Sequence, residues 1–152
     1  MANDDPSPGS NPVIRNTIFW DNRDNSGTGT ATGSISNGSN STPQISYSLV
    51  QGCNPNGTRD SSCGTDNGNN LPDADPLFVN TPDPDEAPTG EGNLRLRPGS
   101  PAIDAGNDDY IDDIDNATDL DGNPRKLGDA VDLGPYELPD PLFHDRFEAV
   151  IQ

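Results

Sequence analysis

The chain has 152 residues, 8 Lys and Arg against 26 Asp and Glu, a formal charge of −18, and 28% apolar residues. Such a charge repels phosphate backbones and anionic headgroups, which argues against nucleic acid and acidic membrane surfaces as partners. No stretch approaches the ~20 apolar residues that cross a bilayer, so membrane insertion is not expected.

The length suits one domain. Leu, Ile, Val and Phe number only 27 of 152, so disorder is the reading any fold must beat. Residues 1–10 are polar, with Pro6 and Pro8, and read as a linker or disordered start that carries no export signal. An exported protein would then bear its signal upstream.

From residue 11 the apolar residues fall in short islands. Val13, Ile14, Ile18, Phe19 and Trp20 form the first, and Asp21 to Pro43 follows as a long polar loop. In the second, Ile45, Tyr47 and Leu49 alternate with Ser46 and Ser48, which predicts one half-buried strand with those three residues on its inner face. Later islands are Leu77 to Val79, Leu94 with Leu96, Ala102 with Ile103, and Val131 to Tyr136. All are strand-sized, and 16 Gly and 16 Pro interrupt any long helix. Long loops count against a compact sandwich and less against a solenoid, from whose coils insertions simply project.

Cys53 and Cys63 bracket a turn-rich polar stretch, and a local disulfide is the natural reading. Free thiols or half of a metal site are the competing readings; the missing C-x2-C pair and the distance to the sole histidine, His144, weigh against the metal.

The most acidic zone, Asn107 to Asp132, raises calcium. Asp112, Asp113, Asp115, Asp119 and Asp121 lie within ten residues among Gly and Asn turns, the oxygen-rich setting a hard cation needs. EF-hand spacing fails, because Gly122 as the turn glycine puts Ala117 first and Gly128 last among the ligand positions. The plainer reading is a solvated acidic loop. Asp73, Asp75, Asp83, Asp85 and Glu86 make a second, Pro-stiffened candidate.

Catalysis finds less support. Asp104 or Asp132 could join Arg95, Arg97 or Arg125, but Arg95 and Arg97 alternate with Leu94 and Leu96 as the solvent face of a strand would. Asp104 and Asp132 fit turn-bonding roles. Trp20 and Tyr47 could stack on sugar rings, but each lies in a strand island, where such residues are more often core. Asn37, Asn40, Asn56 and Asn116 stand in sequons that an Asn-rich chain contains by composition.

Six motifs in order carry a resemblance: Asn16-Thr-Ile-Phe-Trp-Asp-Asn22, Ile45-Ser-Tyr-Ser-Leu-Val-Gln-Gly52, Asp73-Ala-Asp-Pro-Leu-Phe-Val79, Leu94-Arg-Leu-Arg-Pro-Gly-Ser-Pro-Ala-Ile-Asp-Ala-Gly106, Thr118-Asp-Leu-Asp-Gly-Asn-Pro-Arg125 and Val131-Asp-Leu-Gly-Pro-Tyr-Glu137. Together they resemble the C-terminal region of bacterial right-handed parallel β-helix surface proteins of the choice-of-anchor Q type. The resemblance covers Asn11 to Glu137; the Cys53–Cys63 insertion and the Asp21 to Pro43 loop depart from it. The tail, Pro141 to Glu148, is more weakly similar to the ends of some exported Gram-negative proteins.

The resemblance implies an all-β fold, a short right-handed parallel β-helix of about three coils over 11–137, with long polar loops, a C-terminal cap and a tail at 138–152. It also implies an extracellular or cell-surface setting. On this reading the chain is a non-catalytic structural or assembly module ending a β-helix, oligomerising or adhesive. Its open N-terminal coil is expected to meet a protein partner or another copy, with carbohydrate as a further ligand class and Ca²⁺ as the one cofactor raised. The alternative is a remnant of a carbohydrate-active β-helix enzyme, a polysaccharide lyase or hydrolase.

Overall fold

The computed structural model describes residues 9–38, 40–86 and 89–139. Two short strands open it, β1 (Val13–Arg15) and β2 (Ile18–Phe19). The long polar loop that follows is not featureless. It holds an antiparallel hairpin of β3 (Arg23–Asp24) and β4 (Gly27–Thr28), then a single helical turn, α1 (Ala31–Ser34), whose Gly33 N–H donates to the Thr30 hydroxyl at 3.0 Å.

Next come β5 (Gln44–Ser46), β6 (Leu49–Val50) and β7 (Thr65–Asp66). The hairpin of β8 (Phe78–Asn80) and β9 (Asn93–Leu96) completes the strands. The fold class is all-β, built from very short sheets with two antiparallel hairpins beside its parallel ladders.

Two of the three parallel ladders share a register. β1 pairs with β5 in parallel, Val13 opposite Gln44, and β2 pairs with β6 in parallel, Ile18 opposite Leu49, so both ladders share an offset of 31 residues. The strand pair β1–β2 therefore forms one tier and β5–β6 the next. β7 adds a partial third tier on β5 at an offset of 21, with Gln44 opposite Thr65. After the first strand of each tier the chain turns through a left-handed residue: Asn16 (φ 49°), Tyr47 (φ 47°) and Gly68 (φ 95°). The Tyr47 N–H donates to the Gly68 carbonyl at 3.2 Å, tying two of these corners together.

The corner at Tyr47 overturns the single alternating strand expected across Ile45 to Leu49. A positive φ reverses the order of faces, so Ile45 and Leu49 enter different clusters. Ile45 and Val50 join Cys53 and Cys63 in an inner cluster, flanked by Ile14, Phe19, Ala31 and Ile35. Leu49 joins Phe78, Leu96, Ala102 and Leu133 in an outer one, flanked by Ile18, Trp20 and Leu71. Ser46 and Ser48, expected on a wet face, are buried instead; the Ser48 hydroxyl donates to the Ser46 carbonyl and accepts from the Thr17 N–H.

A second pair of corners, Asp21 (φ 53°) and Gly52 (φ 82°), repeats the 31-residue offset. A Cβ on Gly52 would overlap the backbone of Thr30 and Ala31 where α1 begins. Gly52→Ala therefore meets both a strained φ and a backbone clash, and is expected to cost about 1–3 kcal/mol. Urea unfolding checks this, with Gly57→Ala as the comparison, because Gly57 shares a positive φ but has open space around it.

The islands Ala102–Ile103 and Val131–Tyr136, expected as strands, are not strands. Pro101, Gly134 and Pro135 break them, and they meet through only two backbone bonds, Leu133 N–H to Ala102 carbonyl and Gly106 N–H to Val131 carbonyl, each 2.9 Å. These segments form a clasp against the outer face of the tiers. Its anchor is Asn16, whose amide donates to the Asn107 carbonyl and accepts the Asn107 N–H, both at 2.9 Å, across 91 residues of chain. Tyr110 reinforces the clasp, edge-on to Tyr47 and beneath the Arg15 guanidinium.

Candidate functional site

The densest group of charges lies in the clasp. Arg125, Asp119, Asp132 and Glu137 are all buried, with 8%, 6%, 2% and 6% of their surfaces exposed. Arg125 Nη2 donates to the Asp132 and Gly134 carbonyls at 3.0 and 2.8 Å, and Nη1 forms an ion pair with Glu137 Oε1. Glu137 Oε1 also accepts the Asp132 N–H. The Asp132 carboxylate accepts the Asp104 N–H on one oxygen and the Leu138 N–H on the other, both at 2.8 Å. Asp119 accepts from the Asp121, Asn123 and Glu137 N–H groups.

Each carboxylate thus replaces the ladder bonds that these irregular segments lack. Such a knot fixes backbone: both oxygens of Asp119 and of Asp132, and Oε1 of Glu137, accept backbone N–H groups.

Burial raises the Asp132 carboxyl above the usual carboxylate range, against the Asp104 and Leu138 N–H groups that oppose the shift, with the Asp104 charge adding to the rise and Arg125 opposing it. A raised folded pKa means that the native state takes up the proton more readily than the unfolded chain. Its contribution is therefore fullest below the unfolded pKa and is lost as pH rises through the folded one. The stability difference between wild type and Asp132→Asn is expected to move in favour of wild type as pH falls from neutral through that window. Thermal melts at stepped pH check the sign.

The five aspartates considered for calcium do not share one set of partners. Asp119 belongs to the knot. Asp121 pairs through both oxygens with Arg95, whose guanidinium also lies over the Tyr136 ring, 4.3 Å from its centre. Asp113 accepts from the Asn116 side-chain amide, while Asp112 and Asp115 are exposed. In the second acidic stretch, Asp73 accepts from Gly52 and Asn54, Asp75 from Leu77 and Asp83 from Asp85, and Asp85 pairs with Arg23. Among the described residues no three His, Cys, Asp or Glu side chains converge as a metal site.

Cys53 and Cys63 are joined as a disulfide, fully buried in the inner cluster. Asp104 accepts the Ala130 N–H across 26 residues, so like Asp132 it ties distant backbone segments together rather than bonding its own turn as expected. Arg97 Nη2 donates to the Val79 carbonyl. Leu94 and Leu96 do not share one buried face, since Leu96 is 4% exposed and Leu94 38%. Trp20 and Tyr47 are both half-buried, in the outer cluster and against Tyr110. His144 and the tail expected at 138–152 lie outside the described residues from 140 onward, as do residues 1–8 of the expected linker.

Sequence reasoning missed the Arg125 knot and the Asn16–Asn107 anchor. The knot lies within the quoted motifs, whereas Asn107 falls one residue past the fourth, and for the knot a signal was present: Asp132 and Glu137 flank Gly134-Pro135, a turn that brings the Glu137 carboxylate back onto the Asp132 N–H. Among the described residues no helix is long and apolar enough to cross a membrane. No protein-family model, no curated protein and no solved structure matches the chain.

Proposed function

We propose that this chain is a non-catalytic structural module that ends a parallel β-helix of an exported surface protein, with a further coil of that protein stacking on β1. The observation that supports this most is the shared 31-residue offset of two parallel ladders, accompanied by left-handed corners at the same offset. A single β-arc needs no such agreement; a coil repeated along an axis does. β1 stands at the end of its sheet, and Val13 is 53% exposed. Ile14, Ile18 and Phe19 are half-buried while their second-tier partners Ile45, Leu49 and Val50 are fully buried, the gradient an unfinished stack would give. The buried disulfide fits an oxidising, extracellular setting.

A second copy of residues 42–52, joined ahead of Asn11 by a flexible linker, tests the reading. If β1 accepts a coil, the melting temperature rises by roughly 2–4 °C for each kcal/mol of added ladder. An unchanged melting temperature removes the open-coil reading. Release of oligosaccharide from acidic or neutral polysaccharides would replace it with the enzyme-remnant alternative.

A calcium site in the acidic zone would fall on the loop of Asp112, Asp113 and Asp115, because Asp119 is buried in the knot and Asp121 is paired with a cation, whereas Asp113 meets only the neutral Asn116 amide. A calcium-dependent rise in melting temperature that is lost in Asp112→Asn/Asp115→Asn places the ion there. Equal melting with calcium and with chelator removes it.

A further inference from the structure

The two ends of the β1–β5–β7 sheet differ in one column of side chains. Ile14, Ile45 and Asp66 are register partners, and partners in a parallel ladder point to the same face. That face is the inner one, where Ile45 is fully buried and Ile14 packs beside it. The third tier thus continues an aliphatic column with a carboxylate. The neighbouring column, Val13, Gln44 and Thr65, is exposed throughout and carries no such change.

Asp66 is exposed, and its Oδ1 accepts the Gly68 N–H at 2.8 Å and the Asn70 side-chain amide at 2.7 Å. The carboxylate is therefore held at the corner of its own tier, and an aliphatic residue of any further tier would land against it. Covering it would strip water from the charge and supply no cation in return. A ladder as short as β7 offers few hydrogen bonds to offset that cost.

We infer that Asp66 is a stop residue, which closes the stack at β7 and leaves β1 as the one end that accepts a parallel strand with an aliphatic inner side chain. The inference rests on the open-coil reading of β1. It adds a consequence that reading does not contain: copies of this chain cannot stack head to tail, β7 of one on β1 of the next, so growth stops at one module and no filament forms.

The test is Asp66→Ile, followed by light scattering over a range of protein concentrations. Wild type is expected to keep the mass of one chain. The variant is expected to rise beyond twice that mass as concentration increases, and adding Ile14→Asp, which charges the opposite end, should return it to one chain. Should Asp66→Ile fail to melt cooperatively, Asp66→Thr replaces it, since its hydroxyl can still accept the Gly68 N–H while the charge is gone. A folded variant that stays at one-chain mass overturns the inference, as does association that Ile14→Asp leaves intact. If neither variant folds, Asp66 holds the corner rather than stopping the stack, and the inference also fails. The appended coil of the preceding experiment separates the causes: a raised melting temperature there with a monomeric Asp66→Ile sinks the stop residue alone, whereas no response in either sinks the open end itself.

Discussion

Replacing Cys53 and Cys63 by Ala together is expected to lower unfolding free energy by about 2–5 kcal/mol. Two effects add. Closing a loop across a sequence separation of 10 restricts the unfolded chain by about 3 kcal/mol in the loop-entropy model. The sulfurs are also core atoms, fully buried beside Ile45 and Val50, so their removal leaves space that the short neighbouring strands cannot close. Against a typical total of about 5–15 kcal/mol the loss is large. Urea unfolding of the double variant measures it. Wild type treated with reductant is expected to resist until it unfolds, because neither sulfur is exposed. A loss under about 1 kcal/mol would mean that the Asp73 and Asp60 hydrogen bonds hold this loop without the disulfide.

Arg125→Met is expected to cost about 3–5 kcal/mol, the usual result of removing one partner from a buried charge pair. The substitution leaves Asp119, Asp132 and Glu137 buried without their cation, and it frees the Asp132 and Gly134 carbonyls. Arg125→Lys should recover little, since a single ammonium cannot face Glu137 and both carbonyls as the guanidinium fork does. Pairing Arg125→Met with Glu137→Leu should recover part of the loss, because the orphaned charge is removed as well. Thermal melts of the three variants decide the order. Arg95→Ala is the control: its pairing with Asp121 is partly exposed, side chains 43% and 34%, and should be worth at most about 1 kcal/mol. Equal losses for Arg95 and Arg125 would sink the view that the clasp is held by its buried knot.

Legibility varied with the range of the interaction. The disulfide could be read directly, because two cysteines around a polar loop have few alternatives. The roles expected for Asp104 and Asp132 were legible only as backbone bonding: their partners are not a local turn but N–H groups 26 and 28 residues away, Ala130 for Asp104 and Asp104 itself for Asp132. The island at Ile45 to Leu49 was read as one strand, but it is two short strands around a corner, so its faces were read wrongly as well. Alternation assumes negative φ throughout, and one left-handed residue, Tyr47, reverses the order. Tyr is an unusual choice for that conformation, and only its contact with Tyr110, far along the chain, accounts for it there. The clasp segments were misjudged as strands for a related reason: their apolar residues meet the outer cluster, but side-chain carboxylates rather than neighbouring strands receive their N–H groups.

Sequence by itself determined the charge, the disulfide, the strand-sized islands and the exclusion of long helices, because each follows from residue type and near neighbours. Tertiary structure alone decided which islands stack, at what offset, and on which face each side chain lies. Asn16 holding Asn107, Arg125 holding Glu137 and Asp66 falling in line with Ile45 all depend on register, and register is set by how separated segments pack together, which no local pattern encodes.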